Sequence, residues 1–109
     1  MTETSATLSD SDLRLQACAL VRQREDLLDD VCKESLAVAE RFARGEATED
    51  ERDHACVRAM SSWSKASENH RVSWAAWSAR ASVRWVVGRC AVTAYRSASH
   101  FIQSYGDSK

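Results

Sequence analysis

Hydrophobic residues recur along most of this chain at intervals of three and four, the spacing of a helix that buries one face. The first apolar stripe consists of Leu13, Ala17, Leu20 and Val21. Ser9 precedes Asp12 by three residues, a pattern typical of a helix start with acidic residues in its first turn. We therefore predict a first helix over residues 10–24.

A second stripe predicts a helix over residues 26–44, and residues 23–26 are interpreted either as a tight turn or as a continuation of the first helix. The predicted buried face consists of Leu28, Val31, Cys32, Ser35, Val38, Ala39 and Phe42. Gly45 follows directly, at the position where left-handed backbone ends many helices. We expect the second helix to end there.

The third predicted helix, residues 49–67, begins with a capping-box pattern. Thr48 is followed three residues later by Glu51, and acidic residues fill the first turn. Its apolar stripe consists of Ala55, Cys56, Ala59, Met60, Trp63 and Ala66.

Residues 72–105 form the longest stretch without a turn signal. It has no proline, no acidic residue and one glycine, Gly88, which indicates either a kink or a close approach of another helix. On a helical wheel its apolar residues fall on two nearly opposite arcs. One arc is Val72, Ala76, Ala79, Val83, Val87, Cys90, Ala94 and Phe101, and the other is Trp74, Trp77, Ala81, Trp85, Gly88, Val92 and Tyr95. Two arcs predict one central helix whose tryptophans pack in the core.

The segment between the third helix and this stretch has no glycine or proline, so a continuous helix is one interpretation. Trp63, Trp74 and Trp85 are eleven residues apart, which is three turns of a straight helix. A helix over residues 49–105 would be about 85 Å long, too long for a compact domain. We therefore predict a break near residues 67–70, capped by Ser67 or Asn69. Without the break, the protein would be an elongated oligomer.

Composition supports an all-α fold, since the 109 residues include no proline and only three glycines. We predict a compact bundle of about four helices with the C-terminal helix central. One domain covers residues 1–109, with residues 1–8 and 106–109 frayed.

The four cysteines, Cys18, Cys32, Cys56 and Cys90, lack C-x-x-C spacing and lie in mostly apolar helical contexts. The polar start of the chain does not have the pattern of a signal peptide, and no apolar run is long enough to span a membrane. These features favour a reduced cytoplasmic protein without membrane association.

Two segments resemble an uncharacterised bacterial family. Residues 13–24, LRLQACALVRQR, are similar to its LRLFACACCRR leader, and VAERFARGEAT over residues 38–48 is similar to its most specific part, VEVAERYADGEAT. The similarity extends over roughly residues 11–90. A diluted form of the family's Ala/Trp/Arg-rich helical region is represented by Trp63, Trp74, Trp77, Arg80, Arg84 and Trp85. The resemblance implies a helical protein and no established activity. A likeness in composition to Ala-rich immunity proteins implies a toxin-neutralising role.

The sequence offers little catalytic chemistry. Glu51 and His54 form a single E-x-x-H pair at an exposed helix start, whereas di-iron sites use two. A zinc site built from Cys18, Cys32, Cys56 and a histidine is the strongest metal hypothesis, and we consider it weaker than structural packing. No nucleophile elbow or phosphate-binding glycine loop is present. We predict no catalytic residue, no cofactor and no metal.

Charge is unevenly distributed. Residues 1–70 carry nine basic and fifteen acidic residues, whereas residues 71–106 carry five arginines and no acid. We predict a protein-interaction module without catalysis, immunity-like or defence-associated, that binds an unknown protein partner. Its candidate contacts are the polar strip Arg71, Arg89 and Arg96 or the acidic cluster Glu49, Asp50, Glu51 and Asp53. Two alternatives remain open: nucleic-acid binding through the C-terminal arginines, and a structural homo-oligomer formed through whichever apolar arc the other helices leave uncovered.

Overall fold

The regular structure of the described residues is all helical, as predicted, and turns connect the helices. A computed structural model describes residues 9–69 and 71–106. The helices are α1 (Asp10–Arg22), α2 (Asp30–Ala43), α3 (Glu49–Ser67), α4 (Trp74–Val86) and α5 (Ala91–Tyr105), with a 3-10 turn at Glu25–Leu27 between α1 and α2. The radius of gyration, 13.6 Å, is that of a compact domain of this length. The predicted bundle is therefore confirmed, with five helices rather than four.

Side-chain caps mark the starts of α1, α2, α3 and α4. The side chains of Ser9 and Thr48 each accept a hydrogen bond, at 3.1 Å, from the backbone amide three residues further on. The Thr48 amide in turn donates to the Glu51 carboxylate, which completes the predicted capping box. Gly45 has φ +77°, the left-handed conformation expected after α2. The helix ends that depend on neighbouring residues alone therefore agree with the prediction.

The start of α2 was predicted four residues too early. Leu28 adopts an extended conformation after the 3-10 turn, and Asp29 then caps α2 by accepting the Cys32 amide at 2.8 Å. Of the two interpretations of residues 23–26, the turn is confirmed and the continued helix is wrong, since α1 ends at Arg22 and a turn followed by the 3-10 segment leads to α2.

The predicted break after α3 is confirmed, but its cap is different. The α4 cap is Ser73, whose hydroxyl accepts the Ala76 amide at 3.1 Å, and not Ser67 or Asn69. The Asn69 side chain instead accepts the Arg71 amide within the turn at 3.0 Å. The Ser67 hydroxyl accepts a bond from the Trp77 indole at 2.8 Å.

The predicted single C-terminal helix is wrong, because the chain breaks again at residues 87–90. The Arg14 guanidinium donates to the carbonyls of Val86 (2.7 Å), Gly88 (2.6 Å) and Arg89 (3.2 Å). Arg52 donates to the carbonyl of Val87 at 2.9 Å. These carbonyls would accept amides of the next turn in a continuous helix, so the two arginines replace that turn.

The central element is consequently α4 alone. It contacts each of the other four helices, whereas α5 packs mainly against α1 and α4. The core is built from small residues that allow close helix approach. Its fully buried members include Ala17, Cys18, Val21, Cys32, Leu36, Ala39, Ala55, Ala59, Ala79, Val83, Val86, Ala94 and Ala98. Residues 1–8 and 107–109, predicted to be frayed, lie outside the described residues, whereas Gly106 caps α5 by donating to Ile102 at 2.8 Å.

Candidate functional site

The outer face of α4 carries the second apolar arc of the sequence. We call its residues Trp74, Trp77, Ala81 and Trp85 the tryptophan face. Trp74 is 75% exposed and Trp85 43% exposed, and Trp77 is half-buried. The prediction that these tryptophans fill the core is therefore wrong. The opposite arc contributes the buried residues Ala79, Val83, Val87, Ala94 and Phe101 to the core, although its Cys90 is exposed. The described elements leave Trp74 and Trp85 exposed.

Ring contacts hold the exposed Trp74 in a defined orientation. Trp74 packs edge-to-face on Trp77, with ring centroids 5.5 Å apart and an angle of 84° between the planes. Trp77 in turn packs against Trp63 of α3 at 5.9 Å. The indole hydrogen bond to Ser67 fixes Trp77 as well. An exposed aromatic supported in this way loses little conformational entropy when it binds another surface.

A cation lies between two indole rings at the other end of this face. The guanidinium carbon of Arg84 is 4.8 Å from the Trp63 ring centroid and 4.4 Å from that of Trp85. Both distances are within the range of a cation–π contact. Arg84 therefore places a positive charge beside Trp85 and orients that ring.

Three depressions follow one another along this face. The first, about 410 Å³, lies at the start of α4, the second, about 320 Å³, lies between α4 and α5, and the third, about 250 Å³, lies at the end of α4 against α3. Trp77 lines the first two, and Trp85 lines the second and third. The second depression is also lined by Ala81, Ser78, Ser82, Ser97 and His100. The third is also lined by Met60, Arg84, Arg89, Cys56 and Cys90.

The three arginines of the predicted strip do not lie on one helix. Arg71, Arg89 and Arg96 are all exposed, but Arg71 lies in the turn before α4, Arg89 in the turn after it, and Arg96 on α5. The prediction assumed one continuous helix, and the break at residues 87–90 separates the three positions. Of the three, Arg89 alone lines one of these depressions.

Part of the predicted acidic cluster stabilises the first turn of α3. Glu49, Asp50 and Glu51 are exposed. Glu51 accepts from Thr48 and pairs with Arg41 at 3.2 Å, and the Thr48 amide lowers the pKa of this carboxyl. Asp53 forms an ion pair with the buried Arg52. Glu51 and Asp53 thus have contacts within the fold, and no member of the cluster lines any of the three depressions.

Sequence reasoning missed the buried arginines Arg14 and Arg52, each only 3% exposed. A signal was present, because Arg14 lies three residues before Ala17 on the buried side of α1, and Arg52 lies three residues before Ala55 on α3. An arginine in phase with an apolar stripe must find acceptors inside the fold. Here those acceptors are the carbonyls at the end of α4.

The cysteines divide into two classes. All four are free thiols. Burial raises the pKa of Cys18 and Cys32 to about 12, which makes them poor nucleophiles. Cys90 is exposed, and hydrogen bonding to Thr93 lowers its pKa. The metal hypothesis gains no support, because residues 9–69 and 71–106 bring no three His, Cys, Asp or Glu side chains together as ligands.

Comparison of the chain with protein-family models, with curated proteins and with solved structures finds no significant match. Within the described residues, no helix is both long enough and apolar enough to cross a lipid bilayer.

Proposed function

We propose that this protein is an interaction module without catalysis that binds a protein partner through the tryptophan face. The observation that carries the proposal is the placement of its exposed large hydrophobic residues. Among the described residues these are Val57 and Met60 on α3, Trp74 and Trp85 on α4, and Val92 on α5. All lie on three adjacent helices, with none on α1 or α2, and clustered exposed apolar surface is typical of binding sites.

The aromatic composition of this surface supports the same function. Tryptophan and arginine dominate the binding energy of many protein interfaces, and Arg84 with Trp85 supplies that pair here. Nucleic-acid binding is less well supported, since Arg71, Arg89 and Arg96 lie on separate segments. The free thiols are compatible with a reducing compartment, and we place the binding event in the cytoplasm. An immunity-like role would make the partner a toxin.

Site-specific photo-cross-linking in the cells that express the protein tests this proposal. A benzophenone amino acid replaces Trp74 in one variant and Trp85 in another. Matched controls carry it at Ala19 on α1 and Ala37 on α2, which are exposed positions on the helices without large exposed hydrophobics. We expect discrete covalent adducts from Trp74 and Trp85 only. No adducts from these positions, or the same adducts from all four, would contradict the proposal.

A further inference from the structure

Neighbouring depressions share a lining residue, since Trp77 borders the first and second and Trp85 borders the second and third. We call the three depressions together the groove. The 13 residues of α4 extend about 20 Å. The groove therefore has the length of a helical segment of three to four turns.

The arrangement of large and small side chains along the groove is complementary to a helix. Trp77, Ala81 and Trp85 are spaced by four, so they form one row along α4 with a small residue between two large ones. Such a row leaves a hole that can receive a side chain from a packed helix. The hole is flanked by small side chains, Ser78, Ser82 and Ser97, which allow the backbone of another element to approach closely.

The positive charge of the groove favours a negatively charged occupant. Among the described residues that line the three depressions, none is acidic, whereas Arg84, Arg89 and His100 are present. Residues 71–106 contain five arginines and no carboxylate side chain. Electrostatic complementarity therefore favours an acidic partner. Two copies meeting through this face would bring their arginines together, which disfavours a symmetric dimer here.

We propose that the tryptophan face binds an acidic amphipathic α-helix of a partner protein. This inference rests on the proposed function, and it specifies the partner. Apolar side chains of the helix enter the depressions beside Trp74, Ala81 and Met60, and its carboxylates face Arg84 and Arg89. Helix-in-groove binding of this kind uses anchors one to two turns apart.

A pair of designed peptides of about 18 residues, five helical turns, tests the inference on the purified full chain. Both contain the same leucine stripe and no tryptophan. One has glutamate at the remaining positions and the other lysine. Titration followed by the protein's tryptophan fluorescence should show saturable binding of the glutamate peptide, weakened by salt, and at least about tenfold weaker binding of the lysine peptide. Equal affinities, or no binding of the glutamate peptide at low salt, would overturn the inference.

Variants locate the binding site. Trp74→Ala and Arg89→Glu should each lower the affinity for the glutamate peptide about tenfold. Arg44→Glu is the matched control, since Arg44 is exposed at the end of α2 and lines none of the three depressions, and this variant should bind like the original protein. Circular dichroism verifies that each variant is folded. An equal loss in Arg44→Glu would mean that net charge alone determines binding, and the inference would fail.

Two other occupants are outcomes of the same design. Displacement of the glutamate peptide by a single-stranded oligothymidylate, lost in Trp74→Ala, would identify nucleic acid as the occupant. A dimer detected by light scattering, and lost in Trp74→Ala, would identify a second copy. Either result overturns the acidic-helix assignment. If cellular cross-links form at Trp74 and Trp85 but the glutamate peptide does not bind, the proposed function stands and only the occupant is wrong.

Discussion

Arg14 and Arg52 lie over the same aromatic ring, with their guanidinium carbons 5.3 and 5.5 Å from the centroid of Phe42. They come from α1 and α3, and Phe42 comes from α2. Burial lowers the pKa of Arg14, and the nearby charge of Arg52 lowers it further. Two like charges are tolerated here because both guanidinium groups donate to carbonyls at the negative end of the α4 dipole.

Replacing Arg14 with methionine should destabilise the fold by about 3 kcal/mol, because three buried or partly buried carbonyls lose a charged hydrogen-bond donor and the Phe42 ring loses its cation–π contact. Urea unfolding measures the change. Arg44→Met, an exposed arginine at the end of α2, should change the unfolding free energy by less than about 0.5 kcal/mol. A loss in Arg14→Met no larger than in this control would show that the Arg14 contacts do not stabilise the turn.

The tryptophans should differ in their contribution to stability. Trp77→Ala should cost about 2 kcal/mol, below the range of a fully buried tryptophan, because Trp77 is half-buried and its indole bonds Ser67. Trp74→Ala should cost less than about 1 kcal/mol, since its ring is 75% exposed. Thermal unfolding of both variants under one buffer condition makes the comparison. Similar losses in the two variants would contradict the ranking.

Thiol alkylation should be faster at the exposed Cys90 than at the buried Cys18 and Cys32. Its pKa is lowered by the Thr93 hydroxyl and amide, so more of it is thiolate at neutral pH than in an ordinary cysteine. The reaction rate with iodoacetamide should rise with pH and level off above the lowered pKa. Cys18 and Cys32, with pKa raised to about 12 by burial, should react only in urea. Peptide mass spectrometry identifies the sites, and early labelling of Cys18 would contradict the assignment.

Asp29 should make stability depend on pH in the acid range. Burial alone would raise the pKa of its carboxyl, but bonds from the Ser62 hydroxyl at 2.6 Å and the Cys32 amide at 2.8 Å outweigh burial and lower it. A lowered folded-state pKa contributes stability above the unfolded-state pKa, and that contribution is lost as pH falls below about 4.

The Asp29→Asn variant isolates this contribution. The amide keeps an oxygen that can cap α2, so the unfolding free energy at neutral pH should fall by only about 1 kcal/mol. Its decline between about pH 4 and pH 2 should be shallower than in the original protein. Identical pH profiles for the two proteins would show that the folded state does not lower the pKa of Asp29.

The sequence specified those features that depend on neighbouring residues. The capping box at Thr48 and the left-handed Gly45 require only contacts within one turn, and both were predictable. The start of α2 was missed because Leu28 and Asp29 leave the helical conformation after a 3-10 turn that no glycine or proline marks.

The local pattern marked the break at residues 87–90 only through Gly88, which was interpreted as either a kink or a close approach of another helix. It could not decide between the two, because the side chains that bond the carbonyls of the break, Arg14 and Arg52, are far away in the chain. The same limit applies to the candidate site. The helical wheel identified the arc that contains Trp74 and Trp85, but the opposite arc is apolar too. Which of the two arcs the other helices cover depends on packing between distant parts of the chain. The strip of arginines was assigned to one helix for a related reason, since the break between Arg71 and Arg96 was not assigned.

The contacts of Arg14 also bear on how the chain reaches its native state. Arg14 is separated by 72 to 75 residues from the carbonyls that it binds. During synthesis, α1 must therefore remain without its main packing partner until α5 has been made. Contacts of such long sequence separation slow folding, so the bundle should close late and in one step. The apolar stripe of α1 is then the surface most in need of protection on the nascent chain.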